Sequence, residues 1–382
     1  MVEDKKLPEG YKITEVGVIP ENWNVDSIGN LSAISTGSKN TQDKVEDGEF
    51  PFFVRSSIVE RINTYSFDGE AVLTAGDGVG TGRIFHYIKG KFDFHQRVYK
   101  ISNFNEQLNG YFFYLYFSNN FLSRIMSMTA KSSVDSVRRE MISDMKIPLP
   151  TIPEQQAIAE VLIDVDNLIV SLEKLITKKK KIKQGAMQEL LTGKKRLPGF
   201  TGEWEVKNLD DIFEITAGGD LKKNLYSEVK DEKKIYPIYS NGLANGGLYG
   251  YCSVYDYDEN AITITARGTI GVAKYRDHKF VAIGRLLVLR PKEKIDCLFV
   301  TEFINNRLTF AIESTSVPQL TAPQVSLYKI SFPKQFKEQQ AIAQILTDID
   351  AEIERLEKRL EKYKSIKQGM MQELLTGRIR LI

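Results

Sequence analysis

The sequence predicts an α+β protein: two α/β globules joined by two long helices that pair with each other, the whole an approximate twofold repeat. Three observations carry this. Two stretches recur at a constant offset, each holds a sustained heptad of apolar residues, and the segments between them alternate β-formers with glycine turns.

The repeat comes first. EQQAIA begins at Glu154 and again at Glu338, and IKQGAMQELLTG at Ile182 returns as IKQGMMQELLTG at Ile366. Over residues 154–197 and 338–381 the offset is 184 with no gap, and 28 of the 44 positions are identical. The segments before each copy correspond more loosely: Trp23 with Trp204, Pro51 with Pro237, Arg97 with Arg285, Asn119 with Asn305, and KIPLP at Lys146 with KISFP at Lys329. The order is A1–B1–A2–B2, with near-identical B segments and divergent A segments. Residues 1–150 and 198–335 form the globules, and 151–197 and 336–382 the helices. Such a chain serves two similar tasks on two different targets through a common mount.

Each B segment reads as one helix of about 38 residues, roughly 57 Å at about 1.5 Å per residue. Ile158, Val161, Val165, Leu168, Leu172, Leu175, Ile182 and Leu190 mark the apolar stripe of the first; Ile342, Ile345, Ile349, Leu356, Tyr363, Ile366 and Met370 that of the second. Pro153 suits a helix start, and the Gly193 and Gly377 of the two TG pairs suit a stop. A helix with one apolar stripe needs a partner, and the other copy is the obvious one. The plain role of such a pair is a spacer. The copies also share polar residues that packing does not demand: Gln155, Gln156, Lys183, Gln184, Gln188 and Glu189 recur as Gln339, Gln340, Lys367, Gln368, Gln372 and Glu373. Two copies of one protein-binding surface require that identity. Duplication too recent to diverge is the alternative, and the greater divergence of the A segments argues against it.

The A segments read as mixed. GEAVLTAGDG, NAITITARGTIGVAKY and GRLLVLR mark strands and turns; NGYFFYLYFSNNFLSRIMS and CLFVTEFINNRLTFAIES mark amphipathic helices. The glycines of GDGVGTGR from Gly76 step by two, so the dinucleotide-binding template fails and a tight hairpin is the plain reading. The sharper one is a loop that lets backbone approach a duplex, with Arg83, or Arg267 of RGTIG, reaching phosphate or a guanine edge. Further loop candidates are Lys39, Arg55, Gln96, Arg97, Lys131, Ser133 and Arg138 in A1, and Lys222, Lys223, Asn241, Arg285, Ser316, Gln319 and Gln324 in A2. Each singly is more readily a solvated surface residue.

Composition bounds the rest. The formal net charge is +2, and between Lys12 and Lys146 there are 15 basic and 16 acidic residues, so nucleic-acid binding cannot rest on bulk charge. Two cysteines, Cys252 and Cys297, exclude a disulfide framework and fit a reducing cytoplasm. The N-terminal residues lack the apolar core of a signal peptide, and no apolar run is long enough to span a membrane. There is no phosphate-binding GxxxxGK[ST] loop and no methyltransferase tetrapeptide. The three histidines, His86, His95 and His278, have no metal-ligand spacing. Asp220 with Glu228 and Lys230 mimics a nuclease pattern faintly but has no equivalent in A1. KKKKIK from Lys178 is most simply a solvated helix face, with contact to a DNA backbone along the spacer as the alternative.

The layout resembles the specificity subunits of Type I restriction–modification systems over essentially the whole chain. The resemblance rests on GVIPENWNV near Gly17, RGTIG at Arg267, TSVPQL at Thr315, KIPLPTIPEQQAIAEVL at Lys146 and the closing IKQG blocks. It implies a non-catalytic chain. The A segments would be target-recognition domains, each reading one half of a split, asymmetric site on double-stranded DNA. The B helices would form an antiparallel coiled coil that sets the spacing and docks two methyltransferase subunits, which restriction/translocase subunits then join. It implies no cofactor in this chain, with SAM and ATP belonging to those partners. A rod several tens of Å long suits half-sites about one duplex turn apart, at ~34–36 Å per turn. Where A1 has GDGVGTG in place of RGTIG, the arginine role is displaced to Arg83 or lost. A fused enzyme acting alone and a free-standing two-headed DNA-binding scaffold are the competing readings.

Overall fold

A computed structural model describes residues 7–128, 136–311 and 318–381; Lys131, Ser133 and Ser316 lie outside them. The chain forms two compact units. One takes the residues up to Glu173 and those from Arg359 onward; the other takes Lys174–Lys358. Each unit is therefore one A segment with part of both long helices.

In the first unit β1 (Tyr11–Thr14) and β2 (Gly17–Pro20) make a hairpin. β3 (Asn24–Ser27) leads through the short α1 (Ile28–Leu31) into β4 (Ala33–Thr36). β5 (Phe50–Phe53), β6 (Glu60–Ile62), β7 (Phe67–Ala75), β8 (Phe85–Phe94) and β9 (Val98–Ser102) follow, and the six-stranded sheet runs β4-β9-β7-β8-β5-β6. β7 and β8 are antiparallel neighbours, so GDGVGTGR is a hairpin connection. α2 (Gly110–Ser127) supplies Phe113, Phe117 and Phe121, whose rings stack with centroids 5.2 and 4.4 Å apart. Their spacing of four residues puts them on one helix face, in one core with Val72 of β7 and Ile101 of β9. Asn109 caps the helix, accepting from the Tyr111 and Phe112 amides. α3 (Arg139–Ser143) and β10 (Lys146–Leu149) close the unit, β10 pairing antiparallel with β3.

α4 (Ile152–Leu190), the first long helix, leads into the second unit. There β11 (Trp204–Asn208) and α5 (Leu209–Ile212) precede β12 (Phe213–Ala217), β13 (Tyr226–Ser227), β14 (Tyr236–Tyr239) and β15 (Leu248–Cys252). β16 (Ala261–Ile264), β17 (Ala273–Arg276), β18 (Val281–Ala282) and β19 (Leu287–Pro291) complete two four-stranded sheets, β12-β19-β16-β17 and β13-β15-β14-β18. α6 (Cys297–Arg307), α7 (Ala322–Ser326) and β20 (Lys329–Pro333) follow, β20 pairing with β11 as β10 does with β3. The helix expected across CLFVTEFINNRLTFAIES thus stops at Arg307. Leu308 turns extended, and Phe310 packs edge-on against Tyr328, 4.8 Å between centroids.

α8 (Phe336–Leu374) equals α4 in length, at 39 residues each. The two run antiparallel in both units. In the first, Asp166 meets Lys367 and Glu173 meets Lys364; in the second, Lys179 meets Glu352 and Lys183 meets Asp350. Gly193 and Gly377 take positive φ, 68° and 70°, and their amides donate to the carbonyls of Leu190 and Leu374, ending both helices at the two TG pairs.

The seam corrects the sequence-based stripe. Ile158, Leu162, Ile169, Leu172, Ile176 and Leu190 of α4 are buried, while Leu175 and Ile182 are 38% and 46% exposed, as is the α8 counterpart of Ile182, Ile366, at 38%. α4 carries adjacent apolar pairs at 161–162, 168–169 and 175–176, so two parallel stripes compete. Burial follows the second, with Leu162, Ile169 and Ile176 at most 9% exposed, and its Leu162 joins the Phe112–Phe121 cluster of the first globule.

Candidate nucleic-acid interface

In the first unit, three connections converge: the stretch after β5, the β7–β8 turn and the β8–β9 turn. Asp77 lies at their junction. Its Oδ1 accepts from Arg55 Nη1 at 2.6 Å and its Oδ2 from Arg97 Nη1 at 2.5 Å. Burial pushes the Asp77 carboxyl up, but the hydrogen bonds and charges of Arg55 and Arg97 outweigh it and hold the pKa below the ordinary value. The buried ring of His95 braces the turn, its Nδ1 accepting from the Arg97 amide at 3.0 Å. Burial, and then the charge of Arg55, depress the His95 pKa. Gln96 Nε2 donates to Asn40 at 2.6 Å, and Lys39 lies 4.0 Å from the buried Asp93. Arg83 stands exposed at the far end of the β7–β8 turn, with no side-chain partner among the described residues, and Arg138 is exposed at the start of α3.

In the second unit, Asn241 does the fastening. Its Oδ1 accepts from the Ala266 amide at 2.6 Å and the Arg267 amide at 3.3 Å, and its Nδ2 donates to the Gly284 carbonyl at 2.7 Å. Three loops are held by one side chain. Arg267 donates Nε and Nη2 to Gln319 Oε1 at 3.2 and 2.8 Å. Arg285, also exposed, has φ of 69°, a conformation a non-glycine residue adopts at a cost. Lys222 pairs with Asp256 at 2.5 Å, and Lys223 is exposed.

The structure gathers Arg55 and Arg97 in one unit, and Asn241, Arg267, Arg285 and Gln319 in the other. It gives Gln324 different work: its Oε1 accepts from the Thr321 amide and hydroxyl, capping α7. Asp77 and His95 escaped the sequence reading. The only signal was a carboxylate inside a glycine-rich turn, GDG, where a charge projects without bulk around it. Among the described residues no group of three or more His, Cys, Asp and Glu side chains is placed to hold a metal ion, and no helix is long and apolar enough to cross a membrane.

The family model described as "Type I restriction modification DNA specificity domain" matches the chain twice, over residues 20–184 and 201–365. The chain belongs to the Type I restriction–modification specificity family. The Type I restriction enzyme MjaVIII specificity subunit of Methanocaldococcus jannaschii is 28% identical, over 95% of this chain and 94% of its own. The putative MjaX specificity subunit of the same organism is 26% identical over 98% and 97%. Among solved structures, a Type I restriction–modification S subunit from M. genitalium superposes with a TM-score of 0.69 at 18% identity, covering 95% of this chain and 97% of that one; at that identity the likeness speaks for the fold. The chain is a specificity subunit with two recognition domains, the two matches of the family model, and its relatives carry the name of specificity subunits, the non-catalytic kind of subunit.

For a specificity subunit the polar residues repeated on the helices matter, and the structure divides them. Gln155 and Gln339 are turned inward, away from any partner. They are 0% and 1% exposed, and every polar atom of Gln155 is spent inward: it accepts from the Asn109 amide and donates to the Gln107 and Pro150 carbonyls. Gln339 likewise accepts from the Asp296 amide and donates to the Pro333 carbonyl. Their identity between copies follows from tying the globule to its helix. Lys183 and Lys367 are committed to the helix pair through Asp350 and Asp166. Gln156, Gln184, Gln188 and Glu189, with their copies Gln340, Gln368 and Gln372, are exposed, and Glu373 is half-buried.

Proposed function

We propose that this specificity subunit reads a split, asymmetric site on double-stranded DNA, one half per recognition domain (1–150 and 198–335). The helical segments 151–197 and 336–382 set the spacing and dock two methyltransferase subunits. Restriction/translocase subunits join that core, SAM and ATP belong to the partners, and the complex works in the cytoplasm. One observation carries the docking. Because the helices pair antiparallel, each unit holds one complete set of the repeated polar face: Gln156, Gln368, Gln372 and Glu373 in the first, Gln340, Gln184, Gln188 and Glu189 in the second. Two equivalent surfaces suit two copies of one partner. The loop clusters around Asp77 and Asn241 support the reading role, because they project guanidinium donors, the groups that match guanine and phosphate acceptors.

The test is a map of adenine methylation on the host chromosome with the gene intact and deleted. A two-part motif that vanishes on deletion supports the reading. An unchanged map, with no association between the purified chain and the host's methyltransferase subunit, overturns it.

A further inference from the structure

The two loop clusters are built on one backbone frame. The His95 amide donates to the Phe53 carbonyl at 2.9 Å, and the Ile283 amide to the Tyr239 carbonyl at 2.9 Å. The Gln96 amide donates to Lys39 at 2.8 Å, and that of Gly284 to Gly219 at 2.9 Å. The Val137 amide donates to Gly76 at 2.7 Å, and that of Leu320 to Ala266 at 2.9 Å. β7 and β9 also match β16 and β19: Val72 stands opposite Ile101 as Ile262 stands opposite Leu289. Counting from these anchors, Arg55 occupies the position of Asn241, Asp77 that of Arg267, and Arg97 that of Arg285.

We infer that these are one set of three base-reading positions, used twice, and that the exchange of Asp77 for Arg267 at the central position makes the two half-sites differ. The inference rests on the DNA-reading role proposed above. In the first domain the central residue is a carboxylate. It binds only the Nη1 group of Arg55 and of Arg97, and no other bond of either guanidinium appears among the described residues. Each therefore keeps its side-on fork, Nε with Nη2, open and fixed in direction. That fork matches the N7 and O6 acceptors of guanine. In the second domain the central residue is the arginine. Gln319 already fills its Nε and Nη2 fork, so it presents Nη1 end-on. Asn241 stands where Arg55 does but spends its amide on fastening two other loops to its own, and it takes over the Ala266 amide, whose counterpart in the first domain, Gly76, donates to the Arg97 carbonyl. The three positions thus carry one net positive charge in the first domain and two in the second. Asp77 is a positioning residue and also the group that keeps the first cluster from gripping any duplex indiscriminately.

The experiment is chromosomal methylation mapping with the full-length gene carrying Asp77→Asn or, separately, Arg267→Gln, beside the unaltered gene. Asp77→Asn is expected to relax guanine positions in one half of the motif and leave the other half and the spacing as they were. Arg267→Gln is expected to relax the opposite half. The purified Asp77→Asn chain is expected to bind an unrelated duplex more tightly, with a salt dependence steeper by about one phosphate contact, a gain that a loss of scaffolding cannot give. Wild-type motifs from both variants, changes in the same half from both, or loss of all methylation from Asp77→Asn with no gain in nonspecific binding would overturn the assignment. If the unaltered gene yields no two-part motif at all, the DNA-reading role falls, and the triplet with it.

Discussion

The ammonium of Lys183 lies 2.6 Å from Asp350 Oδ2, and 184 residues further on Lys367 lies 2.6 Å from Asp166 Oδ1. One ion pair is the image of the other under the repeat, and each joins unlike copies. Being partly exposed, each pair contributes modestly, about 0.2–1 kcal/mol. Reversing one charge, Asp350→Lys, leaves Lys183 facing a like charge and should lower the unfolding midpoint. The double exchange Lys183→Asp with Asp350→Lys should recover most of the loss. Denaturant titration of both variants beside the unaltered chain checks this; a double variant no better than the single one would mean that the pairing does not set the register.

The two apolar stripes of α4 should differ sharply in mutational cost. Leu162→Ala empties a site with no exposure and should destabilise by about 2–5 kcal/mol. Ile182→Ala, on the competing stripe, should stay within about 0.5 kcal/mol. Equal costs in thermal unfolding would return Ile182 to the seam.

Gln155 and Gln156 are neighbours in the sequence with opposite surroundings. Gln155→Ala strands the Asn109 amide and the Pro150 carbonyl and should cost about 1–3 kcal/mol of folding stability. Gln156→Ala should fold normally and weaken association with the methyltransferase subunit. Stability measurements paired with co-purification separate the two, and a normal complex from a combined Gln156→Ala and Gln340→Ala chain would remove those residues from the docking surface.

How far the sequence could be read is plain in these pairs. The repeat exposed the helices, their lengths and their glycine stops, because a helix end is local chemistry. It did not expose which glutamine faces inward, since the partners of Gln155 lie 46 and 48 residues away in A1. Nor did it place Asp77, whose two arginines come from 22 residues before and 20 after. Strands and turns were legible by alternation and glycine, whereas the meeting of three loops depends on sheet order, which no local pattern encodes.

The repeat is not exact in its anchoring, and that too can be measured. Trp23 Nε1 donates to the buried Glu154 at 3.0 Å, and Arg380 holds the same carboxylate. In the second unit Arg196 holds Glu338, but Trp204 Nε1 has no hydrogen-bond partner among the described residues. Trp23→Phe should therefore cost about 1–3 kcal/mol more than Trp204→Phe. Hydrogen exchange read in each unit is the measurement, and equal protection losses would contradict the asymmetry.

Glu302 of α6 gives the second unit a pH dependence. Burial first, and then Asp350, raise its pKa above the ordinary 4.5, with Lys183 opposing. A carboxyl raised on folding stabilises fully below its unfolded pKa, and that contribution is lost as pH rises through the folded value. Glu302→Gln should stabilise the second unit at neutral pH and flatten its stability profile above pH 4.5. A profile identical to wild type would show that Glu302 titrates as it does in the unfolded chain.

Because Asp166 and Asp350 each face the other copy's lysine, neither helix can drift alone. A change in one removes a partner from the other, so every accepted substitution is judged against the opposite copy. The contact is isologous in all but the covalent thread, the kind of surface two identical chains make with each other. The two helices constrain each other position by position, through Asp166 with Lys367 and Lys183 with Asp350.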